Sequence, residues 1–94
     1  MNRAERIRVA LQDGLDVQGI EVRDDSHLHA GHAGARPAGE THFDVLIVSP
    51  DFAGQSRVTR QRAVYALLSA EFEGGLHALS MRALTPEEAE NETN

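Results

Sequence analysis

The sequence predicts an α+β sandwich, a three-stranded mixed sheet with helices on one face, in the order α-β-β-α-β-α. Three observations carry that reading. Helix-period and strand-period apolar patterns follow one another along the chain in that order. The first two strand-like runs are joined by a single loop and pair most simply antiparallel. The strand, helix and returning strand that follow require a right-handed crossover, which sets the third strand parallel to the second. Ninety-four residues hold one such domain, with a modest core and no room for a second module. The expected boundaries are residues 1–88 for the folded domain and 89–94 for an acidic tail.

Each element has its own local reason. Asn2 can cap a first helix in which Ala4, Ile7, Ala10 and Leu11 recur at helical spacing, while Arg3, Glu5, Arg6 and Arg8 mostly face away and Gly14 stops the run. Val17 to Arg23 reads as a strand, with Ile20 and Val22 on one face and Glu21 and Arg23 on the other. In Phe43 to Ser49, the clearest strand, Phe43, Val45 and Ile47 alternate with Asp44 before Pro50 ends the run. Pro50 to Gly54 is a turn, and Ser56 caps a long helix reaching about Phe72, whose buried face carries Val64, Leu67, Leu68 and Phe72. Gly74 and Gly75 terminate it. Leu76 to Leu84 is the third strand, in which Leu79, Met81 and Ala83 share parity with His77. Thr85-Pro86-Glu87-Glu88 is the capped start of a last helical turn, with Pro86 at the first helical position, followed by a frayed tail.

Composition narrows the chemistry. Fifteen acidic against nine basic residues give a net charge of −6, which argues against a protein whose main task is to coat nucleic acid, since such binding is driven by phosphate neutralisation. There is no cysteine, so any metal ligand supplied by this chain must be imidazole or carboxylate. No apolar run approaches the ~18 residues of a membrane span, and the amino terminus lacks the apolar stretch of a secretory signal, so the expected location is the cytoplasm, with no membrane partner. Glu5 also tells against reading the Arg-bearing start as a mitochondrial presequence.

Four of the five histidines fall between Asp24 and His42, in DDSHLHAGHAGARPAGETH. This connection is rich in Gly, Pro and small residues and exceeds the ~12–15 residues beyond which an unstructured connection usually has a job. A parallel third strand starts at the same end of the sheet as the second, so His77 is expected to converge with His42, His27, His29 and His32. His42 shares parity with Asp44 on the polar face, which favours a structural role in ordering the loop. His77 admits two readings, a ligand or a satisfied histidine beginning a core strand. An exposed loop side chain is the plain alternative for His29, and His32 is either a spare ligand or a solvated side chain.

The segments Asp24-Asp25-Ser26, Glu40-Thr41-His42-Phe43, Phe52-Ala53-Gly54-Gln55-Ser56, Arg60-Gln61-Arg62, His77-Ala78-Leu79 and Thr85-Pro86-Glu87 resemble, in this order, those of the BolA family. The resemblance runs from about Arg3 to Glu88. It implies a class II KH-like fold and a non-enzymatic adaptor that pairs with a monothiol glutaredoxin. The two partners would hold or exchange a bridging [2Fe-2S] cluster, with glutathione supplying a thiolate, in cluster trafficking or iron regulation. Carried over by residue, His77 matches the family's ligand before Ala-Leu, and His29 best matches the loop histidine, with His32 and His27 as alternates. Where the family commonly has Arg-His-Arg, this chain has Arg60-Gln61-Arg62, which removes any role needing an imidazole at position 61. Two histidines can replace two thiolates on one iron, as in Rieske centres, so a chain without cysteine suits a partner that brings sulfur.

The rival reading is a nucleic-acid-binding transcriptional regulator that uses the KH-like fold with Arg57, Arg60 and Arg62 as contacts. A KH domain clamps the backbone through a GXXG loop, which is absent here. Arg60 also projects near Val64 and Leu68, so the triplet reads first as a solvated helix start or a partner surface, with weak nucleic-acid contact second. A zinc or copper site built from His27, His29 and His32 is a third reading, and a hydrolase the weakest, since Ser26 beside His27 lacks a nucleophile's setting.

Overall fold

The first helix, α1 (Arg3–Gly14), begins where Asn2 Oδ1 accepts the Glu5 backbone N–H at 2.9 Å, and it buries Ile7 and Leu11. In this computed structural model residues 2–24 and 42–92 are described. The remaining elements are β1 (Gly19–Asp24), β2 (His42–Val48), a 3-10 turn at Pro50–Phe52, α2 (Arg57–Leu67), α3 (Ser69–Glu73), β3 (Ala78–Leu84) and α4 (Pro86–Glu92). The class II KH-like order is therefore present, with the long central helix divided.

The sheet order is β1-β2-β3, so β2 is the central strand. It pairs antiparallel with β1, Asp24 opposite Phe43 and Gly19 opposite Val48, and parallel with β3, His42 opposite Ala78 and Val48 opposite Leu84. Both orientations follow the sequence expectation. Phe43, Val45 and Ile47 are buried and pack with Ile7, Leu11, Phe52, Val64, Leu68 and Leu76 in one core. His42, Asp44, Leu46 and Val48 alternate with them on the other, partly exposed face. There Arg23 pairs across the strands with Asp44 at 2.8 Å.

The long helix breaks at Leu68, whose buried side chain faces the core and whose N–H reaches both Val64 O and Tyr65 O at 3.1 Å. The added i→i−3 bond tightens the turn, and the chain resumes as α3. Glu71 on α3 then takes Arg6 Nε at 3.1 Å, and Arg3 donates to the Gly74 carbonyl at 2.9 Å, tying the start of α1 to the end of the helical layer. Two arginines expected mainly on the outer face thus have a tertiary role. Gly14 is the last residue of α1, and neither positive-φ glycine, Gly54 or Gly75, stops that helix. A Cβ at position 14 would come within 2.4 Å of the Leu67 side chain, so this glycine permits close approach of α1 and α2. The third strand begins at Ala78, two residues later than the pattern from Leu76 suggested. The last helix extends to Glu92, beyond the single turn expected.

Ile47 is fully buried on the central strand, in the one core shared by the sheet and the helices. Ile47→Ala should cost about 2–5 kcal/mol, the range for such truncations, read as a lower urea midpoint at unchanged slope.

Candidate functional site at the histidine end of the sheet

Among the described residues the histidines are His42 and His77. His42 opens β2, where Phe43 turns into the core and leaves the imidazole half-buried on the opposite face. His77 is exposed and directly precedes β3. Its backbone is held by its neighbour: Leu76 is buried in the core and donates its N–H to Glu71 O at 2.9 Å. Gly75, at φ 120°, makes the entry turn in a conformation that L side chains rarely adopt.

The parallel register sets His42 beside Ala78, and the two imidazole rings lie with centroids 6.1 Å apart and planes tilted by 52°. The expected convergence of these two histidines is thus observed. His77 does not begin a core strand as a buried side chain. His27, His29 and His32 lie outside the described residues. Among the described residues no cluster of three or more His, Asp or Glu side chains could enclose a metal ion. Two imidazoles at one edge can instead offer part of a coordination set that another molecule completes.

The arginines of α2 separate into two kinds. Arg57 and Arg62 are exposed, whereas Arg60 is buried and fully engaged. Its Nε donates to Gln55 O at 3.0 Å, and its Nη1 to Ala83 O at 2.9 Å and to Glu88 Oε1 at 2.6 Å. Its guanidinium also lies 5.9 Å from the Phe52 ring centroid. Arg60 therefore joins α2, β3 and α4, and the semi-burial read from its spacing is explained. Glu88 completes a capping box: its N–H donates to Thr85 Oγ1 at 3.2 Å, and its carboxylate accepts the Thr85 N–H at 2.8 Å. The hydrogen bond from Arg60, then that from the Thr85 backbone, holds the Glu88 carboxyl down at about 2 against an ordinary 4.5.

A groove of about 680 Å³ runs beside this junction, lined among others by Arg57, Arg60, Arg82, Glu88 and Glu92. It lies toward the far end of β3 from His77. Arg82 is paired with Glu92, so the groove alternates cations with carboxylates and does not present a continuous basic surface. The Glu88 and Glu92 partners are what sequence reasoning missed. Only the Thr85-x-x-Glu88 spacing hinted at the first, and it signalled a cap and not a contact 28 residues away with Arg60.

A mixed three-stranded sheet, helices packed on one face and an exposed histidine entering the parallel edge strand define a small α+β domain with a histidine-bearing rim. The chain belongs to the BolA-like protein family, whose model matches residues 11–88. It is 49% identical over 90 residues to Protein BOLA1, chloroplastic, of Arabidopsis thaliana, covering 94% of this chain and 56% of that protein. It is 46% identical over 92 residues to the UV-induced protein uvi31 of Schizosaccharomyces pombe, covering 94% and 90%. SufE-like protein 1, chloroplastic/mitochondrial, of Arabidopsis thaliana is 50% identical over 91 residues, but this chain spans only 24% of its length. The solved BolA domain of SufE1 from the same plant superposes with a TM-score of 0.83 at 49% identity, covering 94% of this chain and 96% of that one. No helix among the described residues is long and apolar enough to cross a membrane.

Glu88 generates a pH prediction. Because its carboxyl is lowered on folding, the stabilisation it supplies is complete above the ordinary value of 4.5 and is lost as pH falls through about 2. Wild type should therefore be more stable than Glu88→Gln at neutral pH, with the difference closing between those two values, as checked by paired urea midpoints from pH 7 to pH 2.

Proposed function

We propose that this chain is a non-enzymatic adaptor that binds a monothiol glutaredoxin and shares a bridging [2Fe-2S] cluster with it, in cytoplasmic iron-sulfur trafficking or iron regulation. The observation that carries the reading is the exposed His77 imidazole at the rim, beside a second imidazole, in a chain without cysteine. Imidazole nitrogen is a competent ligand for one iron of such a cluster, and thiolates from the partner and glutathione would serve the other. The donor set present fits half a cluster and not a whole one. His77 would be one ligand; His29 is the second ligand that the family resemblance implies, with His32 and His27 as alternates. The cluster, when bound, supplies electron storage and a transferable inorganic cargo. This chain's residues provide one face of the holder.

Direct nucleic-acid regulation ranks second. Arg60 is committed to internal bonds, and the groove beside Arg57 carries the carboxylates of Glu88 and Glu92, which oppose a phosphate backbone.

The test is reconstitution. Mixing the protein with a monothiol glutaredoxin, iron, sulfide and glutathione should give a one-to-one complex with one cluster and a visible spectrum distinct from that of the glutaredoxin homodimer. His77→Ala should shorten the cluster lifetime by more than the ~10–100-fold that loss of an outer-shell residue costs a metal site. Because His77 is exposed, unfolding stability should stay within about 0.5 kcal/mol of wild type. A glutaredoxin cluster spectrum that is unchanged by adding this protein would contradict the reading.

A further inference from the structure

We propose that the outer edge of β3, in the groove between α2 and α4, accepts an extended acidic segment of a partner protein as an added strand. The site lies toward the opposite end of β3 from His77 and does not depend on the function proposed above.

Hydrogen bonds fix which way the backbone of β3 points. Leu84 O accepts from Ser49 N at 2.9 Å, so the even-numbered positions of β3 turn their backbone groups toward β2. These groups alternate along a strand, so those of Leu79, Met81 and Ala83 point away from the sheet. The side chains of α2 agree with that direction, since Arg60 donates to Ala83 O at 2.9 Å and Tyr65 to Leu79 O at 3.4 Å. Met81 lies between these two capped carbonyls. Among the described residues its N–H and C=O, and the Ala83 N–H, meet no protein partner. An extended chain laid alongside can accept the Met81 N–H, donate to the Met81 C=O, and accept again from Ala83 two residues on.

The groove suits that occupant in size and in charge. Its volume of about 680 Å³ falls within the ~300–1,000 Å³ of binding clefts, and β3 lines it from Met81 to Leu84. Its other charged groups are paired, Arg60 with Glu88 at 2.6 Å and Arg82 with Glu92, whereas Arg57 is exposed and makes no ion pair among the described residues. The charge left to an occupant is therefore a single cation. Because α2 runs antiparallel to β3, with Tyr65 at Leu79 and Arg60 at Ala83, Arg57 stands toward the Leu84 end, where it can meet a carboxylate of the incoming strand. The buried Oε1 of Gln55, on the same groove, accepts no hydrogen bond from the protein and supplies an acceptor for a donor on the incoming chain. A second copy's β3 answers this chemistry poorly, since Ala78–Leu84 contains no carboxylate.

The probe is a random linear peptide library displayed on phage and selected against the full chain, with the enriched peptides then synthesised. They should carry Asp or Glu, shift the Met81 and Ala83 amide signals of the ¹⁵N-labelled protein, and slow hydrogen exchange at both amides. Arg57→Gln should weaken them by about 5-fold or more at low salt, the scale of one exposed ion pair. Strand addition has a further signature that leaves the protein untouched: N-methylation of the peptide backbone should abolish binding at one residue and be tolerated at the next. No enriched peptide, enriched peptides without acidic residues, or equal tolerance of N-methylation at neighbouring residues would overturn the inference. So would shifts at Met81 and Ala83 produced by single-stranded DNA or by self-association of the chain, and by no peptide. Peptide binding that persists in His77→Ala, in a sample that forms no mixed cluster, leaves this site standing while the adaptor reading falls. A mixed cluster that forms with a chain to which no peptide binds has the reverse meaning.

Discussion

The parallel pairing of β2 with β3 is the constraint on which the rest of this molecule depends. It is the long-range connection of the chain, made through α2 and α3, and it can close in only one hand without leaving the apolar side of the helices uncovered. Once it is made, β2 is central, its Phe43, Val45 and Ile47 side chains meet both α1 and α2, and the alternate residues line the open face. The same pairing brings His77 across from a residue 35 positions earlier. The histidine rim is therefore a consequence of how the core closes.

The other end of β3 is organised by Arg60. As an edge strand, β3 exposes backbone groups that could template association. Side chains from α2 blunt that edge, Arg60 at the Ala83 carbonyl and Tyr65 by a longer 3.4 Å contact at the Leu79 carbonyl. The same guanidinium holds Glu88, while Arg82 holds Glu92, so α4 docks mainly through charge; none of its residues is buried. A buried cation with one partner removed is costly, which makes Arg60 a structural residue in a motif whose composition suggests a ligand-binding one. The two ends of β3 therefore differ: one is tied by Arg60 to α2 and α4, and the other is entered from the exposed His77.

Much of this was legible locally. Asn2, Ser56 and Thr85 cap the helices they precede, as their residue types and positions indicate, and the alternation at Phe43, Val45 and Ile47 reports burial correctly. The parallel third strand and the meeting of His42 with His77 followed from chirality, and the semi-burial of Arg60 from its helical spacing. What the sequence could not convey depends on three-dimensional approach. Nothing local distinguishes Gly14 as a helix stop from Gly14 as the point where Leu67 crosses. Glu71 looks like any solvent-facing acid until α1 delivers Arg3 and Arg6 to it, across 68 and 65 residues of chain. The break at Leu68 likewise comes from packing a fully buried side chain, because the helical pattern runs through it without interruption.

The central claim is that imidazole nitrogen from this chain ligates a metal centre shared with a thiol-bearing partner. The most direct measurement is pulsed electron paramagnetic resonance of the reduced mixed cluster, prepared with ¹⁵N-histidine in this chain and an unlabelled glutaredoxin. The account predicts strong ¹⁵N hyperfine coupling assignable to directly bound imidazole and diminished when His77 is replaced. A reduced cluster in the purified complex without ¹⁵N coupling would contradict it, and would leave this chain holding its partner through protein contacts alone.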